Sequence, residues 1–294
     1  MNELFKFPEH LSKSPGKIPM FRATRFSSMS SRDEKYQSAF ARRLRAAQQS
    51  FGISGKPTFE GARLVLRSEN ESLELYRPSD SLWWTHHGLA YQEKALAGAR
   101  LPDEAEALKL ASALLERHNL DIASASVRSV TYVEADVQER TAKPQSVRTA
   151  LDVNYGFTLA DHPVMGPGAK IKVTFAATDT PAQLIYFWRV PSKAPAAAAI
   201  SATTALERFM RDPAFFHLRN KEASVEVHKV TFGYYAMTPT DFQRLYVPVW
   251  AIDVTCQTRE LRHDFRRYVV AVDRSPEDAK RADAVANPRT CRMF

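Results

Sequence analysis

Cysteine is scarce in this chain: there are two, Cys256 and Cys291. Two thiols build neither a disulfide framework nor a metal-ligand set. Cys256 lies in "WAIDVTC", where Trp250, Ile252, Val254 and Cys256 alternate onto one apolar face. That pattern reads it as a small buried hydrophobe, and Cys291, in "NPRTCRMF", as an idle thiol. Long apolar runs are missing too. Nothing approaches the roughly 18 consecutive apolar residues of a membrane-spanning helix. The opening "MNELFKFPEHLSKSPGKIPMF" has no charged-then-apolar pattern, so a cytoplasmic chain is expected. Catalytic and cofactor signatures are equally absent. There is no GxxxxGK[ST] phosphate loop, no GxSxG nucleophile elbow and no Cys/His/carboxylate spacing that closes a metal site. The expectation is no cofactor and no metal.

Charge is present but unpatterned. Lys and Arg number 41 against 33 Asp and Glu, a net charge of +8, which permits an acidic partner. The densest groups are "RRLR" (Arg42 to Arg45) and "RHDFRR" (Arg262 to Arg267). In the first, Phe40, Leu44 and Ala47 take the core stripe of a helix and the arginines its solvated face. A nucleic-acid interface is therefore not favoured.

What the chain does hold is internal repetition. "VRSVTY" (Val127 to Tyr132) recurs as "VHKVTF" (Val227 to Phe232), and "ALDV" (Ala150 to Val153) as "AIDV" (Ala251 to Val254). A helical segment precedes each copy. "LPDEAEALKLASALLERHNL" places Pro102 at the first helical position and acids in the first turn. Its Ala105, Leu108, Ala111 and Leu115 keep a buried spacing. "SATTALERFMRD" supplies Leu206, Phe209 and Met210. A more divergent copy comes first: the capping box "SRDE" (Ser31 to Glu34), a stripe through Tyr36, Phe40, Leu44, Ala47 and Phe51, and a stop at Gly52. Strand-like runs follow it.

The expected fold class is therefore α+β: tandem α-β-β-β units, each a helix packed on an antiparallel curved sheet. The units span 30–92, 101–190 and 200–273, between an N-terminal arm (1–29) and a C-terminal tail (274–294). The Pro/Ala-rich "VPSKAPAAAAI" (Val190 to Ile200) reads as a linker. This ordering, carried by the helices at 102–118 and 201–212 with their strands, resembles the PepSY family and its tandem-repeat relatives. The resemblance implies helix-plus-curved-sheet modules that modulate partner proteins such as proteases.

Chemistry-bearing residues are few. "ADHPVMGPGAKIKVTF" (Ala160 to Phe175) reads as a long hairpin connection, because a strand follows Gly168 and Lys170 where a phosphate loop needs a helix. His162 in it suits a pocket rim. "LWWTHHG" (Leu82 to Gly88) places Trp84 and His86 on one strand face. Asp152 and Asp253 stand at matching places in the repeat, and a carboxylate pair invites acid–base chemistry. The residues nominated are Asp253 and His86 as acid–base groups, with Trp84, Tyr155, His162, Trp188, Tyr235 and Tyr246 lining any apolar ligand site. The leading reading is a non-catalytic module engaging a protein or peptide through its sheet faces or edges. The alternative is a small-molecule enzyme of cyclase or isomerase type with an aromatic pocket.

Overall fold

The computed structural model describes residues 4–11, 15–23, 34–90, 100–137, 145–176, 180–213, 215 and 223–272. The helices are α1 (Glu34–Phe51), α2 (His87–Ala90), α3 (Glu104–Arg117) and α4 (Ala202–Met210). The first strands are β1 (Phe5–Lys6), β2 (Lys17–Arg22), β3 (Thr58–Glu60), β4 (Arg63–Arg67), β5 (Glu71–Tyr76) and β6 (Ser81–His86). Then come β7 (Ala125–Val137), β8 (Gln145–Leu159), β9 (His162–Met165), β10 (Lys170–Phe175), β11 (Pro181–Phe187) and β12 (Ser192–Ala198). β13 (Ser224–Tyr235), β14 (Leu245–Gln257) and β15 (Arg262–Val270) complete the set. None of the described helices is long and apolar enough to cross a membrane.

The sheet overturns the expected fold class. In place of tandem α+β units, the strands form one mixed 15-stranded sheet, and the protein is predominantly β. The order is β12-β2-β14-β13-β9-β8-β10-β11-β6-β5-β4-β3, with β1 on β13, β15 on β14 and β7 on β8. Two seams fuse what the sequence separates. β6 pairs with β11, Trp83 opposite Ile185. β9 pairs antiparallel with β8 and parallel with β13, Val164 opposite Tyr234. Small separate sheets would leave rows of backbone N–H and C=O groups at their edges; joining edge to edge satisfies them. The N-terminal segment contributes β1 and β2, and the Pro/Ala-rich stretch forms β12 against β2. The β12 register slips between Ala194 and Ala197, around Pro195, as a residue without an N–H requires.

Helix ends follow local chemistry. The Asp103 carboxylate caps α3 by accepting from the Glu106 N–H at 2.8 Å, and the Ser201 hydroxyl caps α4 through the Thr204 N–H at 3.0 Å. Pro102 thus precedes the cap instead of opening the helix. Gly52 ends α1 in the left-handed region, φ 67°. The capping box expected at the start of α1 involves Ser31, outside the described residues.

Alternation separates the two faces. Val130, Val153, Val173, Leu184, Trp84, Leu73 and Leu66 form one row across seven strands. This row belongs to the main core, together with Ala107, Ala111 and Leu115 of α3 and Ala47 of α1. One residue along each strand, the other face carries Thr131, Asp152, Thr174, Gln183, Thr85, Ser72 and Arg67. A one-residue step in a strand exchanges faces, so an apolar row and a polar row lie back to back.

Candidate functional site

The nominated residues do not converge. Asp253 lies on β14 between Lys229 of β13 and Arg266 of β15. Arg266 grips both of its oxygens, Nε to Oδ1 at 2.5 Å and Nη2 to Oδ2 at 3.0 Å. A guanidinium fork stabilises the ionised carboxylate and so makes it a weaker base toward a substrate proton. His86 ends β6 opposite Glu71. Five strands (β13, β9, β8, β10 and β11) lie between β14 and β6 in the sheet order, so the two share no site. Asp152 and Asp253, aligned by the sequence motifs, stand two positions apart in register: Asp152 faces Thr131, and Asp253 faces Lys229.

The aromatic residues are core. Trp84, Tyr155, Trp188, Tyr235 and Tyr246 are all buried. Trp84 packs 6.0 Å from Phe51; Trp188 stacks on Phe157 at 3.6 Å and lies 5.5 Å from Tyr246. Tyr235 meets Tyr268 edge-on at 4.9 Å, and His162 meets Phe232 at 4.7 Å. Rings packed on one another occupy the volume a ligand would need. Burial pushes the phenols of Tyr155 and Tyr246 up, and that of Tyr235 up to about 12. None is therefore poised for proton transfer near neutrality.

The glycines of "MGPGAK" prove to be a point of close approach. Chain 236–244, after β13, is pinned from several sides. The buried Arg189 donates to the carbonyls of Met237 at 2.9 Å, Thr238 at 2.6 Å and Asp241 at 2.7 Å. Gln243 donates to the carbonyls of Tyr235 and Leu245 and accepts from the Met237 N–H. The Ser79 hydroxyl donates to the Pro239 carbonyl at 2.8 Å, and the Tyr246 hydroxyl donates to that of Arg189. Against this, Gly168 lies so close that a Cβ would stand 1.8 Å from the Met237 carbonyl oxygen. The connection between β8 and β10 thus carries β9 and a backbone-to-backbone junction.

Both repeated hairpins carry a bulge at the same motif position. Arg128 is the extra residue between Val127 and Ser129, and His228 between Val227 and Lys229. Bulges re-aim side chains. The His228 Nε2 lies 2.6 Å from the Thr255 hydroxyl, which in turn donates to Asp264, while Nδ1 is 3.8 Å from Glu226. This carboxylate–imidazole–hydroxyl array escaped the sequence reading, although "VEVHKV" displays Glu226 and His228. It is not a nucleophilic site. Thr255 is buried, and its proton points at a carboxylate that the same hydrogen bond holds below the usual range.

The feature with binding geometry is the outer edge of β7. Among the described residues this 13-residue strand pairs with β8 alone. Val127 and Val133 on it are 47% and 41% exposed. A polar ledge runs beside it: Asn154 donates to the hydroxyls of Ser129 and Thr131, and Asp152 accepts from Thr174 at 2.6 Å and Lys172 at 3.2 Å. Arg148 anchors the far end, 4.0 Å above the Tyr132 ring and 3.6 Å from Glu134. The other open edges are shorter. β15 has nine residues with α4 packed against it, β12 carries Pro195, and β3 has three residues.

No protein family matches the chain, and no curated protein matches it. Among solved structures, the crystal structure of an uncharacterized protein from Eubacterium rectale ATCC 33656 aligns with a TM-score of 0.43 at 10% identity. That alignment covers 93% of this chain and 90% of that one.

Proposed function

We propose that the protein is a non-catalytic binding module that takes an extended segment of a partner protein as an added strand along β7. The observation carrying this reading is the pairing of β7: thirteen residues long, hydrogen-bonded to β8 on one side, with no strand on the other among the described residues. An open edge is a row of unpaired N–H and C=O groups, and a peptide strand supplies their complements. Each such hydrogen bond contributes about 0.5–1.5 kcal/mol net. Selectivity would come from alternate side chains, Ser129, Thr131 and Val133 on one face and Val130 and Tyr132 on the other. The separation of Asp253 from His86, and the filled aromatic core, support binding over acid–base catalysis.

Panning a random peptide library on the purified protein, followed by hydrogen exchange with a selected peptide, tests the reading. Exchange should slow at alternate amides of Ser129–Val137 and stay unchanged in β14. A selected peptide that protects another surface, or a library that yields no binder, would defeat it.

A further inference from the structure

Residues 34–90 are one continuous stretch holding α1, β3 to β6 and α2. In the sheet order β6-β5-β4-β3 is a terminal run. Among the described residues, the pairing of β6 with β11 is therefore its one strand join to the rest. That join is short. It runs from Gln183 opposite Thr85 to Tyr186 opposite Leu82, four residue pairs, against six in β5–β6 and six in β10–β11. It is also where buried polar groups are left over. Ser81 Oγ, Trp83 Nε1, Trp84 Nε1 and His86 Nδ1, all on β6, are buried without a hydrogen-bond partner in the protein. Trp83 and Trp84 stand directly opposite Ile185 and Leu184 across the join, and Ser81 and His86 flank it. A buried polar group without a partner weakens the closed state, and water relieves it once the strands part. Against this, α2 lies on β11, Phe51 and Ser50 of α1 hold His118, and the Ser79 hydroxyl bonds the Pro239 carbonyl.

We infer that residues 34–90 open from the rest of the molecule as one unit, parting at the β6–β11 join, before the protein unfolds as a whole. Proteins open in contiguous cooperative pieces that coincide with supersecondary units. The pairings of β3 with β4, β4 with β5 and β5 with β6 lie inside this piece and survive its release. Opening lays bare the edge of β11, together with Trp84 and Leu184, which the closed sheet buries. The device is independent of strand capture at β7, which β8 and β10 separate from β11.

Native-state hydrogen exchange of the full chain, in urea below the unfolding midpoint, tests this. Amides of β4 and β5 should exchange through one shared opening, at least about tenfold faster than those of β8, β10 and β14. A disulfide across the join supplies the control. In a Cys291→Ser background, Thr85→Cys with Gln183→Cys puts two thiols on a directly opposed pair. Their Cα atoms lie about 4.5–5.5 Å apart, within disulfide range. Oxidation should slow the β4 and β5 amides to the rate of β8, and reduction should restore the difference. Ser81→Ala removes one partnerless hydroxyl and should slow the shared opening about fivefold in the chain without the disulfide. Amides of β4 and β5 that exchange only together with those of β8 and β14 overturn the inference. So does an oxidised disulfide that leaves their exchange unchanged, or an unchanged or faster opening in Ser81→Ala.

Discussion

The β7–β8 and β13–β14 hairpins are two uses of one pattern. Each follows a helix, each is long, and each bulges at the second residue of its VxxVT motif. Their surroundings differ. β13 is flanked on its other side by β1 at Val225–Glu226 and by β9 at Tyr234–Tyr235, and β14 by β2 and β15, so neighbouring strands close the second hairpin at both ends of β13. β7 has β8 and nothing further among the described residues. The bulges differ accordingly. His228 reaches the hydroxyl of Thr255, whereas Arg128 lies over Gly156, the residue at Thr255's register position. In the more closed hairpin the bulge residue's hydrogen bond is made within its own strands.

The largest expected effect sharpens this contrast through glycine. Gly168→Ala, at the junction serving the closed hairpin, drives a methyl into the Met237 carbonyl oxygen and should cost more than about 4 kcal/mol or prevent folding. Gly156→Ala, in the open hairpin, places a Cβ 3.6 Å from the flexible Arg128 side chain and should change stability by less than about 1 kcal/mol. Urea unfolding of both variants measures the difference. Equal losses would erase the distinction between the hairpins.

Next in size, Arg189→Met abandons three carbonyls of chain 236–244. A loss of about 3 kcal/mol is expected, with hydrogen exchange rising first in that chain and not in β7. Thr255→Val removes the acceptor of His228 and the donor to Asp264. It should cost about 1 kcal/mol in a thermal melt and leave β7 peptide binding intact.

An effect that is smallest at neutral pH and grows in acid lies in the helix layer on the open hairpin's side. His118 closes α3, stacks on Phe51 of α1 at 3.8 Å and bonds the Ser50 hydroxyl at 2.7 Å. Burial, aided by Arg117, lowers its pKa from 6.5 to about 4. The fold thus favours neutral imidazole. That contribution is complete above the unfolded value and is lost progressively as pH falls from about 6.5 to 4. Unfolding free energy measured against pH should show this slope, and His118→Phe should flatten it.

Helices were legible because their signals are local. The expected spans of 102–118 and 201–212 met Glu104–Arg117 and Ala202–Met210, and the stripe ending at Phe51 met Glu34–Phe51. Side-chain periodicity and caps sit within a few residues of what they specify. The joins between strands were not legible, because the pairings of β6 with β11 and β9 with β13 are backbone bonds that leave no side-chain pattern. β9 hides in "HPVM" behind a proline. Arg189, at the end of "YFWRV", resembles any surface charge until the chain it holds is seen. The candidate site fared likewise: "VRSVTY" announced a strand, but an edge is defined by what does not lie beside it.

One consequence of the topology concerns synthesis. β2 lies between β12 and β14, and its neighbours end at Ala198 and Gln257. A ribosome adds about 5–20 residues per second, so β2 emerges roughly 10–50 s before its second neighbour is complete. A strand made early among those described is among the last to find its place. Until then Ile18 and Met20, both buried in the finished protein, depend on chaperones or on transient contacts for cover.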